Sequence, residues 1–176
     1  GYEQWAKIHN LKQAAKTLNF LTEHQISRYE DLTAKITEIQ RESDKAGDAL
    51  KEVEKRLADM AVLIKNVSTF QKTKPAYDSY RKARNKDRYR AAHEGTVILH
   101  EAAAKALKAA QIGGKLPSVP ALQAEYEKLQ AQKESLYADY GKLRKQVQEY
   151  DVIKRNIDSI LQTEKQPERE RQTERG

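Results

Sequence analysis

Apolar residues recur at alternating steps of three and four along two long stretches of this chain. The first stretch runs from Tyr29 to Val67, and the second, of nearly the same length, runs from Val119 to Leu161. A repeat of 3.5 residues is typical of helices that wrap around one another in a coiled coil. The pattern therefore predicts two long helices, each with one apolar stripe to bury.

Each stripe can be written out residue by residue. The first consists of Tyr29, Leu32, Ile36, Ile39, Ser43, Ala46, Leu50, Val53, Leu57, Met60, Ile64 and Val67. The second consists of Val119, Leu122, Tyr126, Leu129, Lys133, Leu136, Tyr140, Leu143, Val147, Tyr150, Lys154, Ile157 and Leu161. Weak or polar members such as Ser43, Ala46, Lys133 and Lys154 tend to fix the register of pairing at a cost in stability.

Local signals predict where these helices begin and end. Ser27 and Glu30 form a capping box, in which a hydroxyl and a carboxylate satisfy free backbone amides reciprocally. Pro75 should end the first helix, because a residue before a proline is disfavoured in helical geometry. Ser118 is a candidate N-cap for the second helix, and Pro120 suits a first turn whose amides lack helical partners.

Two stripes of equal length are most simply satisfied by pairing with each other. We therefore expect an all-α fold, a long antiparallel intramolecular coiled-coil hairpin, with Tyr29 near Leu161 and Val67 near Leu122. About 45 residues per helix give a rod of roughly 65 Å. A parallel homodimer would leave the second stripe of each chain in need of its own partner, so we expect a monomer.

The chain divides into five segments on this basis. Residues 1–25 form a helix that packs on the open end of the hairpin, and residues 27–74 form the first coiled-coil arm. Residues 75–117, here called the tip segment, form a small helical tip, and residues 118–163 form the second arm. Residues 164–176 are a charged tail that should be disordered, because it has no apolar residue to bury.

Smaller helices are expected outside the two arms. The N-terminal helix has an apolar face made of Tyr2, Trp5, Ile8, Leu11, Ala15, Leu18 and Leu21. In the tip segment, "PAYDSYRKA" indicates a short helix and "RNKD" a break. A longer helix should follow from Arg88 to Ile112 and stop at Gly113 and Gly114.

Positive charge is concentrated at one place in the sequence. The formal net charge of the 176 residues is +7, and residues 72–90 contain eight basic residues against two acidic ones, a surplus of six. Basic side chains that neutralise phosphates release counterions and so bind nucleic acid without reading its sequence. The candidate phosphate contacts are Arg81, Lys82, Arg84, Lys86, Arg88 and Arg90.

Three tyrosines, Tyr77, Tyr80 and Tyr89, are interleaved with these basic residues. Tyrosine rings can stack on exposed bases, and their hydroxyls can bind phosphate oxygens. The same rings can equally pack short helices together and leave only the basic side chains in solvent. The sequence leaves both interpretations open.

No pattern of catalytic residues is visible. The chain has no cysteine, and it lacks a phosphate-binding loop and a nucleophile elbow. His93 and His100 are seven residues apart, about 10 Å along a helix, so they cannot hold one metal ion together; we expect one to pack and the other to be exposed. No apolar run approaches the roughly 20 residues that span a bilayer. We expect no catalytic residue, no metal or other cofactor, and no membrane partner.

Three blocks of the sequence resemble a known family. They are "GYEQWAKIHNLKQAAKTLNFLTEH", "YRKARNKDRYRAAHEGTVILHEAAAKAL" and "KLPSVPALQAEYEKLQAQKESLYADY". Together they resemble, in the same order, the C-terminal helical region of relaxases, the mobilisation nucleases of conjugative and mobilisable elements in Gram-positive, Clostridiales-type bacteria. The resemblance covers almost the whole chain.

The resemblance implies more about a parent protein than about this segment. Relaxases nick DNA with a tyrosine and a histidine-bound metal in an N-terminal nuclease domain, and no such residue can be carried over here. The chain begins at Gly1 and its only methionine is Met60, so we expect a piece of a longer protein. The family pattern places Gly-Tyr-Ser-Lys-Lys where this chain has "RNKDRYR", which keeps the charge but moves the tyrosine.

Two functional hypotheses follow. In the first, the chain is the non-catalytic helical domain of a relaxase in the bacterial cytoplasm. It binds DNA through its basic tip, a relaxosome accessory protein or coupling protein, or both. In the second, it is a coiled-coil spacer or protein-interaction module that does not bind nucleic acid.

Overall fold

The computed structural model describes the backbone of residues 2–173 and the side chains of residues 9–162. Five helices follow one another within this described backbone. They are α1 (Tyr2–Glu23), α2 (Tyr29–Lys82), α3 (Lys86–Ala92), α4 (Glu94–Ala109) and α5 (Val119–Thr173). The described backbone contains no strand, and α2 packs against α5 and α4. The predicted all-α hairpin is confirmed.

The helices form two compact units, one of residues 1–48 and 137–176 and the other of residues 49–136. In the first unit the core joins three helices. Phe20 of α1 is buried with Leu32 and Ile39 of α2 and with Tyr150 and Ile153 of α5. The ring of Phe20 meets that of Tyr150 edge to face, with 5.0 Å between centroids, a favoured geometry for aromatic pairs.

The second unit has two neighbouring apolar clusters. In one, Val53 and Leu57 of α2 are buried against Leu129 of α5. In the other, Val67 of α2 is buried with Leu107 of α4 and Leu122 of α5. Part of each predicted stripe is therefore buried, while the end members Tyr29 and Leu161 are each 41% exposed. Helix α4 covers the end of this unit's α2–α5 pair.

The register of the hairpin agrees with the predicted one. Val67 and Leu122 share a cluster, as expected. At the other end, the Tyr29 hydroxyl donates a hydrogen bond of 2.7 Å to Asp158, one helical turn before the predicted neighbour Leu161. The two polar lysines of the second stripe make ion pairs, Lys133 with Glu54 and Lys154 with Asp158.

The buried face of α1 differs from the predicted one. Leu11 and Leu18 are 69% and 60% exposed, whereas Thr17 is fully buried. The Thr17 hydroxyl donates to the carbonyl of Gln13 at 2.8 Å and accepts from the amide of Asn156 at 3.1 Å. The buried face is therefore centred on Thr17 and Phe20; of the predicted leucines, Leu21 packs against the core, whereas Leu11 and Leu18 face solvent. The predicted positions 2, 5 and 8 lie outside the residues whose side chains are described.

Pro75 does not end the first arm, so that prediction is wrong. Helix α2 continues through Pro75 to Lys82. A proline in a helix leaves the carbonyl four residues earlier without its donor; here that residue is Gln71, which is exposed like Pro75, so water can satisfy the carbonyl. The predicted short helix "PAYDSYRKA" is the last part of α2.

The helix starts also differ in detail. Helix α2 begins at Tyr29, and the Arg28 carbonyl accepts from the amides of Asp31 and Leu32, so Arg28 takes the cap position that we assigned to Ser27. For α5 the prediction is confirmed, because the Ser118 hydroxyl accepts from the Ala121 amide at 3.2 Å.

The single helix predicted for residues 88–112 is two helices. His93 has φ −129° and ψ 27°, outside helical geometry, and separates α3 from α4. Helix α4 then ends before the two glycines. Gln111 adopts φ 60°, its amide binds the Lys108 carbonyl, and the Ile112 amide binds the Leu107 carbonyl, both at 3.0 Å. This pattern is a Schellman motif, formed here with glutamine in the position that glycine usually takes.

Helix α5 continues to Thr173, into the tail that we expected to be disordered. Glutamate, glutamine, lysine and arginine dominate this stretch, and all four have high helix propensity. A stretch that lacks a core can therefore extend a helix that the coiled coil has already nucleated. The predicted disorder of residues 174–176 falls outside the described residues.

Candidate nucleic-acid interface

Five of the six candidate phosphate contacts are exposed and follow one another along the chain. Arg81 and Lys82 form the last turn of α2, Arg84 lies in the break, and Lys86 and Arg88 belong to α3. The break forms because Asn85 caps α3: its side-chain oxygen accepts from the Arg88 amide at 3.0 Å, as asparagine does at many helix starts. We call these five residues the exposed basic set.

Arg90, the sixth candidate, is placed differently. Its two terminal nitrogens donate to the two carboxylate oxygens of Glu101, at 2.9 and 3.3 Å. This bidentate bond raises the pKa of Arg90 and lowers the pKa of Glu101. Because the pair joins α3 to α4, Arg90 holds the tip segment together and its charge is compensated.

The three tyrosines lie against other aromatic rings. The ring of Tyr77 stacks on His100 with 4.3 Å between centroids, and Tyr89 meets His93 at 4.4 Å. Tyr80 lies between the other two tyrosines, at 5.8 Å from Tyr77 and 6.2 Å from Tyr89. All three are half-buried. The rings connect α2, α3 and α4, which agrees with the packing interpretation.

His100 is the centre of this packing and is only 4% exposed. Its Nδ1 lies 2.9 Å from the hydroxyl of Thr73. That hydroxyl donates to the Thr69 carbonyl at 2.7 Å, so it accepts the Nδ1–H of His100. Burial, which disfavours the charged ring, lowers the pKa of His100.

The other histidine, His93, is exposed, so one histidine packs and one faces solvent, as expected. Among the residues that the structure describes, no group of three or more histidine or acidic side chains could hold a metal ion. Within the same part of the chain, no helix is long and apolar enough to cross a membrane.

Lys74 belongs to the basic region but is paired locally. Its ammonium group donates to Asp78, one turn later on α2, at 2.7 Å. This hydrogen bond lowers the pKa of Asp78. Of the two acids in the basic region, Asp78 is thus engaged by a lysine, and Asp87 is exposed in the first turn of α3.

Comparison with known proteins gives no relative. No protein-family model matches the chain, and no match is found among curated proteins or among solved structures. The resemblance to relaxases rests on the three sequence blocks alone and stays a prediction.

Sequence reasoning found the basic residues of this region but missed two of their neighbours. Glu101 pairs with Arg90 across a helix break, eleven residues away, and no helical spacing relates them. Thr73 binds His100 from another helix, 27 residues away. Only the tertiary packing of α2, α3 and α4 brings these side chains together.

Proposed function

We propose that this chain is a non-catalytic helical domain that contacts DNA through the exposed basic set. In this proposal it is the C-terminal domain of a relaxase, acts in the bacterial cytoplasm, and assists mobilisation of a plasmid or transposon. The coiled-coil hairpin carries the basic residues, and the nicking chemistry belongs to another part of the parent protein.

The observation that carries the proposal is the concentration of exposed cations. Arg81, Lys82, Arg84, Lys86 and Arg88 lie within eight consecutive residues, with Asp87 as the one acid among them. Among the residues whose side chains are described, none of the five takes part in an ion pair. A dense cluster of this kind raises the local potential and favours a polyanion such as DNA.

The test replaces all five residues of the exposed basic set with glutamine and measures DNA binding by electrophoretic mobility shift. We expect the variant to lose most of its affinity. We expect the wild type to lose about 0.9 log units of affinity per log unit of salt for each duplex phosphate contact.

A matched control removes the same number of charges elsewhere in the same unit. Lys51, Lys55, Arg56, Lys65 and Lys105 are all exposed, and their replacement by glutamine should leave affinity close to that of the wild type. Equal affinity of the wild type and the basic-set variant would refute the proposal. Equal loss in the two variants would assign binding to net charge alone and would also refute it.

A second candidate function is protein interaction, and a different surface favours it. Ile98 and Leu99 of α4 are 48% and 56% exposed, and Val62 of α2 is 58% exposed. A groove of about 670 Å³ lies between α2 and the end of α4, lined by Val62, Leu63 and Ala106 among others. Val62 and the groove form an apolar surface of the kind that proteins use to contact one another. Ile98 and Leu99 lie outside the groove, nearer the start of α4.

The two functions can be separated with one variant. Replacing Val62, Ile98 and Leu99 with serine should abolish pull-down of the coupling protein if this surface is the functional one, and should leave DNA affinity unchanged. If the coupling protein is retained by this variant, the second candidate is wrong.

A further inference from the structure

We propose that the exposed basic set binds the phosphate backbone of double-stranded DNA without stacking on bases, and that it therefore prefers a duplex to a single strand. The inference rests on the proposed function and specifies its substrate. It depends on three structural features: the contacts of the tyrosine rings with other protein groups, the pairing of Arg90 with Glu101, and the spacing of the exposed cations.

The tyrosine rings are already stacked within the protein. Tyr77 faces His100 and Tyr89 faces His93, at centroid distances of 4.3 and 4.4 Å. Tyr80 is bordered by both other tyrosines and by the guanidinium of Arg90, 5.8 Å from its centroid. Each ring thus already has protein groups against it and is half-buried, which leaves less ring surface for a base. Proteins that bind single strands instead present exposed aromatic platforms to successive bases.

Arg90 lies over one of these rings, with its guanidinium carbon 5.8 Å from the centroid of Tyr80. Both terminal nitrogens of Arg90 are bonded to Glu101, so they are not free to donate to a base edge. Releasing them would leave a carboxylate without its partner. Arg90 is thus already engaged within the protein.

The exposed basic set contains no aromatic side chain between its members. From Arg81 to Arg88 the sequence is "RKARNKDR", so neighbouring cations are separated only by alanine, asparagine and aspartate. Such a set can neutralise phosphates but offers no stacking surface. Since a duplex carries about one charge per 1.7 Å of its axis, it gives a cluster of cations a denser target than one strand does.

The experiment measures binding of the full chain by fluorescence anisotropy to three probes. They are a labelled duplex, one of its strands, and an abasic strand of the same length, each titrated between about 50 and about 200 mM salt. We expect the duplex to bind most tightly. Single and abasic strands should bind with equal affinity, because the bases contribute no contact.

The salt dependence gives a second measure of the same contacts. If all five cations neutralise duplex phosphates, the slope of log affinity against log salt concentration should approach about −4.5. Affinity should then fall by up to about 500-fold over this range. Replacing Tyr80 or Tyr89 with leucine should leave affinity for both strand forms unchanged. A loss of about fivefold or more on the single strand would indicate a stacked base.

The outcomes separate this inference from the proposed function. Tighter binding to the single strand than to the duplex, or a clear preference for the natural over the abasic strand, would overturn the inference while the proposed function stands. Unchanged duplex binding by the five-glutamine variant would overturn both. The abasic probe needs no substitution, so the test holds even if a tyrosine variant fails to fold.

Discussion

At the scale of single residues, the structure places polar side chains at positions where they decide local geometry. Thr73 accepts the Nδ1–H of His100, and Phe70 and Tyr77 lie against its ring, at 4.5 and 4.3 Å between centroids. The burial that results favours the neutral ring. Gln25 and Gln111 both have a positive φ, and both end helices with the hydrogen bonds of a Schellman motif. His100 and Gln111 each give a prediction about stability.

His100 should make stability depend on pH. Burial lowers its pKa below the ordinary value of 6.5, so the unfolded chain binds a proton more readily than the folded one. The contribution of the buried neutral ring to the free energy of unfolding is therefore present above about pH 6.5. It is lost as the pH falls through the lower pKa of the folded state. Asp78, Lys74 and Glu101 also act electrostatically on this ring.

The measurement is chemical denaturation of the wild type and of His100→Phe between about pH 8 and about pH 5. A phenylalanine should fit between Phe70 and Tyr77 and cannot titrate. The difference in unfolding free energy between the two proteins should shift in favour of the variant as the pH falls. A difference that does not change with pH would contradict the assignment of a neutral buried His100.

Gln111 should be a site of conformational strain. A residue with a side chain pays about 1–2 kcal/mol for left-handed geometry, whereas glycine adopts it freely but loses about 0.5–1 kcal/mol in entropy. We expect Gln111→Gly to raise the unfolding free energy by about 0.5–1 kcal/mol. Gln132→Gly, at an exposed helical position of α5, is the control and should lower it by a similar amount. A destabilised Gln111→Gly variant would show that its side chain has a contact of greater value.

At the scale of elements, the long helices tolerate residues that usually break helices. Helix α2 includes Pro75 and Gly47, and α5 includes Gly141. Packing of its apolar stripe against the partner helix stabilises each helix by more free energy than one unfavourable residue removes. The two glycines differ in surroundings: a Cβ at Gly141 would meet nothing within 4 Å, but one at Gly47 would lie 3.3 Å from Cε2 of Tyr140.

This difference predicts unequal effects of the same substitution. Gly141→Ala should stabilise the protein by about 0.5–1 kcal/mol, because alanine removes the entropy cost of glycine in a helix. Gly47→Ala should gain less, since the Tyr140 ring must move by a few tenths of an ångström. Thermal and chemical denaturation of both variants would test this, and an equal gain at the two positions would show that α2 and α5 are less closely packed there.

At the scale of the whole molecule, the two heptad stripes of one chain pack against each other. Leu32, Ile39, Leu50, Val53, Leu57 and Val67 of α2 are buried, as are Leu122, Leu129 and Tyr150 of α5. Residues that are buried between these helices are not available to a coiled-coil partner. The chain therefore has no need of a second copy to satisfy its heptads.

The chain should accordingly be a monomer in solution. Light scattering coupled to size exclusion should give a mass near 20.2 kDa that does not change with concentration. A mass of twice that value would show that the exposed apolar residues of α1 or α4, such as Leu11 and Leu99, form an interface. The variant with Val62, Ile98 and Leu99 changed to serine would then identify which of these surfaces is responsible.

The sequence by itself determined the hairpin, its register and the position of its basic region, because heptad spacing and charge are local properties of a chain. It did not determine the helix through Pro75, the break at His93 or the buried face of α1, where distant contacts outweigh local preference. The sequence also showed the surplus of positive charge, but it did not show which basic side chains are exposed and which are paired with an acid. Only the packing of α2, α3 and α4 decided that Arg90 is bonded to Glu101 and that Tyr80 lies beside Tyr89, because these partners lie on different helices whose spacing no repeat records.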